Sequence, residues 1–427
     1  MLSAFRNAFK IPELRGKILF TLAIIAVYRL GSHLPVPGVD FDAVQNYLQN
    51  PARDTTGAFT LINLFSGGAL TQFAIFALGI MPYITSSIIM QLLGVVIPRL
   101  EQLQKEGETG RKKIQQYTRY VTVFLALLQS ASIVQLAHNQ GILPLDIFPG
   151  LTPGRFALAV LTLTAGTALI MWLGELITAR GIGNGMSILI FSAIVSTLPS
   201  EGANILRVNK AFIFGLVCFL GLLIVVAVIF VEQAQRRIPV QYAKRMVGRR
   251  MYGGQSTYIP LKVNQAGVIP IIFASSLLYI PVLLASIVNK DWLTDFTERF
   301  ARTGSHPLYI ITYFLLIIGF AYFYNSIAFN PVDTADNMKK YGGFIPGIRP
   351  GRQTAEHLNY ILTRITLPGA VFLGAVAILP FIALAAGNVQ SFPFGGTSIL
   401  ITVGVGLETM KQIESQLLMR NYEGFLR

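Results

Sequence analysis

The sequence predicts an all-α polytopic membrane protein, with ten transmembrane helices in two five-helix halves that cross the bilayer in opposite senses. Three observations predict it. Of 427 residues, 53% are hydrophobic and only 13% charged, and the mean hydropathy is +0.58; in a soluble domain about a quarter of residues carry charge. The run Phe73–Ile97 has no charge over 25 residues, enough to cross a hydrocarbon layer of about 30 Å as a helix. Finally, two short patterns recur in the same order. Gly79-Ile80-Met81-Pro82-Tyr83-Ile84 returns as Gly267-Val268-Ile269-Pro270-Ile271-Ile272, and Ser187-Ile188-Leu189-Ile190 returns as Ser398-Ile399-Leu400-Ile401.

Apolar runs place the spans, in order, at Lys17–Leu34, Phe73–Ile97, Tyr117–Ala137, Phe156–Ile177, Ile182–Leu198, Ala211–Val231, Ala266–Val288, Leu308–Phe329, Ile365–Ala386 and Phe392–Met410. The first follows a basic leader, as a signal peptide does, but Pro35-Val36-Pro37-Gly38 comes next instead of a small-x-small cleavage site, so it reads as retained. The fifth and tenth are short and glycine-rich, and they carry the second echo. Five spans per half is an odd number, so halves 1–200 and 201–427 must be inverted relative to each other. Inverted repeats place a functional site near the midplane, where they meet.

Charge sets the orientation. Segments on the side of the termini carry 26 of the 34 Lys and Arg and 12 of the 20 acids, against 7 basic and 8 acidic residues on the other side. That asymmetry predicts cytoplasmic termini in a cell membrane and accounts for a net charge of +14 without nucleic acid. No Asp, Glu, Lys or His lies in the middle of a span; Arg29, Glu175, Arg180, Glu232 and Glu408 fall near ends, within reach of the interface. The buried carboxylate of an ion-coupled transporter and the charged ring of a selective ion channel are therefore missing. Gly107-Glu108-Thr109-Gly110-Arg111-Lys112 lacks phosphate-loop spacing. His33, His138, His306 and His357 show no metal spacing, and Cys218 is the only cysteine. No cofactor, metal or catalytic residue is expected.

The echoes single out Ile80, Ile84, Ile190, Ile272 and Ile401. Isoleucine is common in lipid-facing helices, which is one reading of each. The other is a narrow apolar constriction where the halves meet, closed by stiff β-branched side chains that exclude water and ions by dewetting.

The motifs Asn63-Leu64-Phe65-Ser66-Gly67-Gly68-Ala69-Leu70 and Phe76-Ala77-Leu78-Gly79-Ile80-Met81-Pro82 resemble the SecY family of protein-conducting channel subunits. So do Gln116-Tyr117-Thr118-Arg119-Tyr120, Met171-Trp172-Leu173-Gly174-Glu175, Leu261-Lys262-Val263-Asn264 and Phe344-Ile345-Pro346-Gly347-Ile348-Arg349-Pro350-Gly351. The resemblance implies a clamshell of two halves around a central hourglass pore, with those five isoleucines as its ring and a sixth position unassigned. It implies a plug at about 61–70, formed by Leu61, Ile62, Asn63, Leu64, Phe65, Ser66, Gly67, Gly68, Ala69 and Leu70. A lateral gate would lie between the second and third spans and the seventh and eighth, with Thr85, Gln91, Asn264 and Ile280 as candidates for weak interhelical contacts.

By the same resemblance, cytoplasmic loops 232–265 and 330–364 would dock a SecA-like motor ATPase or the ribosome through Lys244, Arg245, Arg249, Arg250 and Arg349. SecE-like and SecG-like small subunits, signal peptides, nascent secretory or membrane proteins and the lipid bilayer are the other implied partners. The expected function is passage of unfolded polypeptides across the membrane and lateral release of transmembrane segments, without enzymatic activity of its own. A small-solute secondary transporter with inverted repeats and a membrane-embedded scaffold or insertase are the rival readings.

Overall fold

The computed structural model describes residues 9, 11–39, 66–70, 72–138, 152–208, 211–242, 245–247, 250–252, 256–288, 307–386 and 396–425. Its first half contains α1 (Pro12–Gly31), α2 (Met81–Val96), α3 (Pro98–Lys105), α4 (Glu108–His138), α5 (Pro153–Arg180) and α6 (Gly185–Val208). The second contains α7 (Ala211–Gln233), β1 (Gln235–Tyr242), β2 (Arg245–Val247), β3 (Arg250–Tyr252), β4 (Ser256–Lys262), α8 (Ile269–Val288), α9 (Pro307–Ala328), α10 (Pro331–Lys340), β5 (Gly343–Phe344), α11 (Arg352–Ala386) and α12 (Gly396–Phe425).

Each expected span overlaps a helix. Among the described residues, three helices are long and apolar enough by themselves to cross a membrane: Pro153–Arg180, the α9–α10 stretch Pro307–Lys340, and Arg352–Leu379. The second span needs correction. Residues 72–80 form successive turns, with Phe73 and Gly79 at φ 44° and 56°, and α2 begins only at Met81 and runs for 16 residues. Pro82 is the reason, because a proline is tolerated in the first helical turn and clashes further in. At its other end α2 stops at Ile97, which is extended before Pro98, and the chain bends by 101° into α3.

The two long loops hold structure that the sequence reading left as basic connections. β1 pairs antiparallel with β4 from Gln235↔Lys262 to Gln241↔Ser256, and β5 joins the other edge of β1 through Gln241↔Phe344. Ile238 and Val240 point inward, alternating with exposed neighbours, and pack with Leu261, Met338, Ile345, Leu358 and Ile361. Asn330 caps α10, its Oδ1 accepting from the Val332 amide at 3.0 Å.

Inside the helical body the apolar side chains form separate clusters. One joins Leu70, Phe73 and Leu78 to Ile133 of α4 and Leu163 of α5. Another joins α7, α8, α9, α11 and α12 through residues such as Val228, Ile271, Tyr313, Leu373 and Leu400. A third draws on α1, α2, α5, α6, α8 and α12 together. It contains the candidate site.

Candidate functional site

The repeated motifs fold alike. Gly79 (φ 56°) and Gly267 (φ 60°) both take the left-handed backbone that glycine tolerates. Each is followed by a helix with proline as its second residue, α2 at Met81-Pro82 and α8 at Ile269-Pro270. Ile84 and Ile272 thus stand equally far into their helices, three residues past Met81 and Ile269. The second motif behaves the same way: Ile190 and Ile401 each lie five residues past the first residue of their helices, Gly185 and Gly396.

That register brings the five isoleucines together. Ile80, Ile190, Ile272 and Ile401 are buried members of the third cluster, between 1% and 7% exposed, and Ile84 packs against it half-buried. They come from α2 with its N-cap Ile80, from α6, α8 and α12, and no Asp, Glu, Lys, Arg or His is buried among the described residues. Ile194, one turn beyond Ile190 on α6, lies in the same cluster and is fully buried. Ile190 and Ile194 repeat the i, i+4 spacing of Ile80 and Ile84.

Of the expected plug, Leu61, Ile62, Asn63, Leu64 and Phe65 lie outside the described residues. Ser66, Gly67, Ala69 and Leu70 are buried and Gly68 half-buried. Gly67 sits on α6: a Cβ at residue 67 would lie 2.9 Å from the Ala193 Cα, and φ is 66°. A side chain larger than hydrogen would push this segment off α6. Arg29 of α1 donates from Nη1 to the Gly67 carbonyl at 3.3 Å, turned inward to the protein where the sequence suggested only reach to the interface. Just after the segment, the Val36 amide donates to the Phe73 carbonyl and the Ile75 amide to the Leu34 carbonyl, at 2.9 and 2.8 Å.

Thr85 and Asn264 hydrogen-bond elsewhere than across the expected seam of α8 with α2 and α4. Thr85 is buried, but its hydroxyl donates to the Met81 carbonyl one turn back in its own helix. A threonine in a helix has that acceptor within reach without any partner helix. Gln91 is exposed and lines a cavity with Tyr83, Ser87, Gln104, Arg111 and Thr118. Asn264 is buried and donates to Glu232 Oε1 at 2.5 Å and to the Gly267 carbonyl at 3.1 Å. It fastens the end of α7 to the turn before α8. Glu232, the first residue beyond the sixth span, has its carboxyl pushed above the usual range by burial, against the opposing pull of Asn264 and Lys262. The side chain of Ile280 lies outside the described residues. At the level of whole helices, α8 packs against both α2 and α4.

Two family-like motifs quoted above meet in space. Arg119 of α4 forms a two-pronged ion pair with Glu175 of α5, Nε to Oε1 at 2.8 Å and Nη2 to Oε2 at 2.7 Å, and Gln115 adds a third donor at 3.1 Å. On the loops, Lys244 and Arg249 lie outside the described residues, while Arg245 and Arg250 belong to the small β2–β3 hairpin, opposite Tyr252 and Val247. Arg349 is exposed; its backbone carbonyl accepts from Thr354 at 2.9 Å, and no ion pair holds its side chain among the described residues.

A polytopic helical membrane protein, with a charge-free apolar waist where its helices converge and a sheet on its basic loops, is the class that these features define. The SecY family model matches residues 74–410. Protein translocase subunit SecY of Streptomyces galbus is 60% identical, with 100% of each chain covered, and that of Mycobacterium bovis is 57% identical with the same coverage. This chain belongs to the SecY family. Its fold is similar to a solved protein-conducting channel, with a TM-score of 0.64 at 19% identity and 96% of each chain covered. It is also similar to Sec61 in a canine ribosome–channel complex from the endoplasmic reticulum, with a TM-score of 0.61 at 18% identity and 96% of each chain covered.

Proposed function

We infer that this chain is the protein-conducting channel of a translocase in a bacterial cell membrane, passing unfolded polypeptides across the bilayer and releasing transmembrane segments sideways into it. The observation that carries this reading is the waist. Five isoleucines from both sides of the repeat pack in one apolar cluster, and no charged residue is buried among the described ones. Such a collar offers no hydrogen-bonding group for a polar solute, so it suits a cargo of any sequence. It seals by dewetting when empty and by closing on the chain when occupied. A solute transporter needs the opposite, polar ligands at mid-depth, and the waist supplies none.

The rest follows the family pattern. Halves 1–200 and 201–427 act as the two shells, with both termini cytoplasmic. Residues 66–70 belong to a plug seated on α6 beside Ile190 and Ile194. The seam of α8 against α2 and α4 is the lateral gate. The basic tip around Arg245 and Arg250 and the exposed Arg349 dock the energy source, a SecA-like motor or a ribosome of the kind bound to the canine Sec61 relative. SecE-like and SecG-like subunits complete the membrane complex.

Replacing Ile80, Ile84, Ile190, Ile272 and Ile401 by glycine in the full complex tests the waist. Reconstituted into proteoliposomes, the variant is expected to leak small ions when idle; a bilayer as tight as with the unaltered chain overturns the reading.

A further inference from the structure

We propose that Arg29 is a positioning residue that latches the plug segment in its seat, a role that rests on the channel reading above. A guanidinium inside the first expected span is costly unless it has a polar partner. Here it has one: Nη1 donates to the carbonyl of Gly67, 38 residues away in sequence. Gly67 is the residue whose missing side chain lets the segment lie against Ala193 of α6, between Ile190 and Ile194 of the waist. The bond therefore holds the segment where it lies against the helix that carries Ile190 and Ile194.

The surroundings suit a releasable tie. His33, one turn beyond Arg29 and just past the end of α1, meets Arg29 Nη2 through Nε2 at 3.5 Å and pairs through Nδ1 with Gln72 Oε1 at 2.9 Å. These contacts aim the guanidinium. The chain after the plug is pinned to Leu34 and Val36 by backbone hydrogen bonds, so residues beyond Phe73 stay put when the plug leaves. Positive φ angles at Gly67 and Gly68 in the seat and at Phe73 at the pinned end mark where the backbone can swing. The Arg29–Gly67 bond adds to the backbone bonds Phe73 to Leu70 and Ala74 to Ala69 that shape this turn, and it is weak enough to break when a polypeptide enters.

The test uses the full complex in proteoliposomes. Arg29→Gln is expected to raise the idle ion leak about tenfold, the shift that loss of one charge-assisted hydrogen bond makes in a two-state equilibrium. Arg29→Lys, which keeps a cationic donor, recovers part of the seal. An Arg29→Gln channel as tight as the unaltered one overturns the latch. So does an Arg29→Lys channel that leaks as much as Arg29→Gln, since a cationic donor at position 29 then makes no difference. The two readings fail separately: a tight five-glycine waist sinks the channel itself, whereas a leaky waist with a tight Arg29→Gln sinks only the latch.

Discussion

Glu232 shows how one half-buried carboxylate makes the junction between α7 and the turn before α8 depend on pH. Burial raises its pKa, with Glu408 adding to the rise and Asn264, Lys262 and Lys411 opposing it. The folded chain therefore binds a proton there more readily than the unfolded chain does. Stability from this group is complete below the ordinary glutamate range and is lost as pH rises through the raised value. Glu232→Gln keeps an acceptor for Asn264 but never carries charge. Its stability relative to the unaltered chain should grow as pH rises above the ordinary glutamate range, followed by thermal unfolding in detergent. A difference that stays flat over that range would show that Glu232 is already ionised without cost.

Helix by helix, fastening depends on a few polar contacts in an apolar body. The Arg119–Glu175 pair ties α4 to α5, with Glu175 the more buried partner at 16% and Arg119 at 46%. Half-exposure of the arginine limits its worth, so Glu175→Ala is expected to cost about 1–2 kcal/mol, read as a lower midpoint of unfolding. A double-mutant cycle with Arg119→Ala should recover most of that cost as coupling energy; independent effects would mean that each side chain acts through packing alone. The sequence revealed the helices because an uncharged run of bilayer length has few alternatives, and it revealed the isoleucines because both echoes survive as identical backbone. It did not reveal the Arg119–Glu175 pair, whose partners stand 56 residues apart with no periodic signal. The late start of α2 was legible in Pro82, yet hydrophobicity alone ran the span back to Phe73. The strand β1 escaped for a related reason: Ile238 and Val240 alternate with polar neighbours over too few residues to outweigh the basic charge around them.

Across the whole molecule, hydrogen bonds and apolar contacts divide the work. Several side-chain hydrogen bonds between helices run within one part: Ser86 bonds to the Thr118 carbonyl and Ser130 to Thr164 in residues 1–200, and Asn325 bonds to Thr366 in residues 201–427. The meeting surface of the two parts is the isoleucine waist, the contact of α6 with α12, and the packing of α8 on α2 and α4. Apolar helix surfaces parted in a bilayer lose little, because lipid tails or an incoming apolar helix replace what they leave. The apolar packing of α8 on α2 and α4 therefore fits the proposed parting of the two halves along α8. Thr85→Cys on α2 and Ile280→Cys on α8, in a chain with Cys218 replaced, place a covalent clasp across that seam. Once oxidised, the clasp should stop a signal-anchor segment from reaching lipid and slow export of a signal-bearing precursor; reduction should restore both. Full cross-linking with undiminished export would mean that the helices part along some other line, and the seam assignment would have to be abandoned while the waist stands.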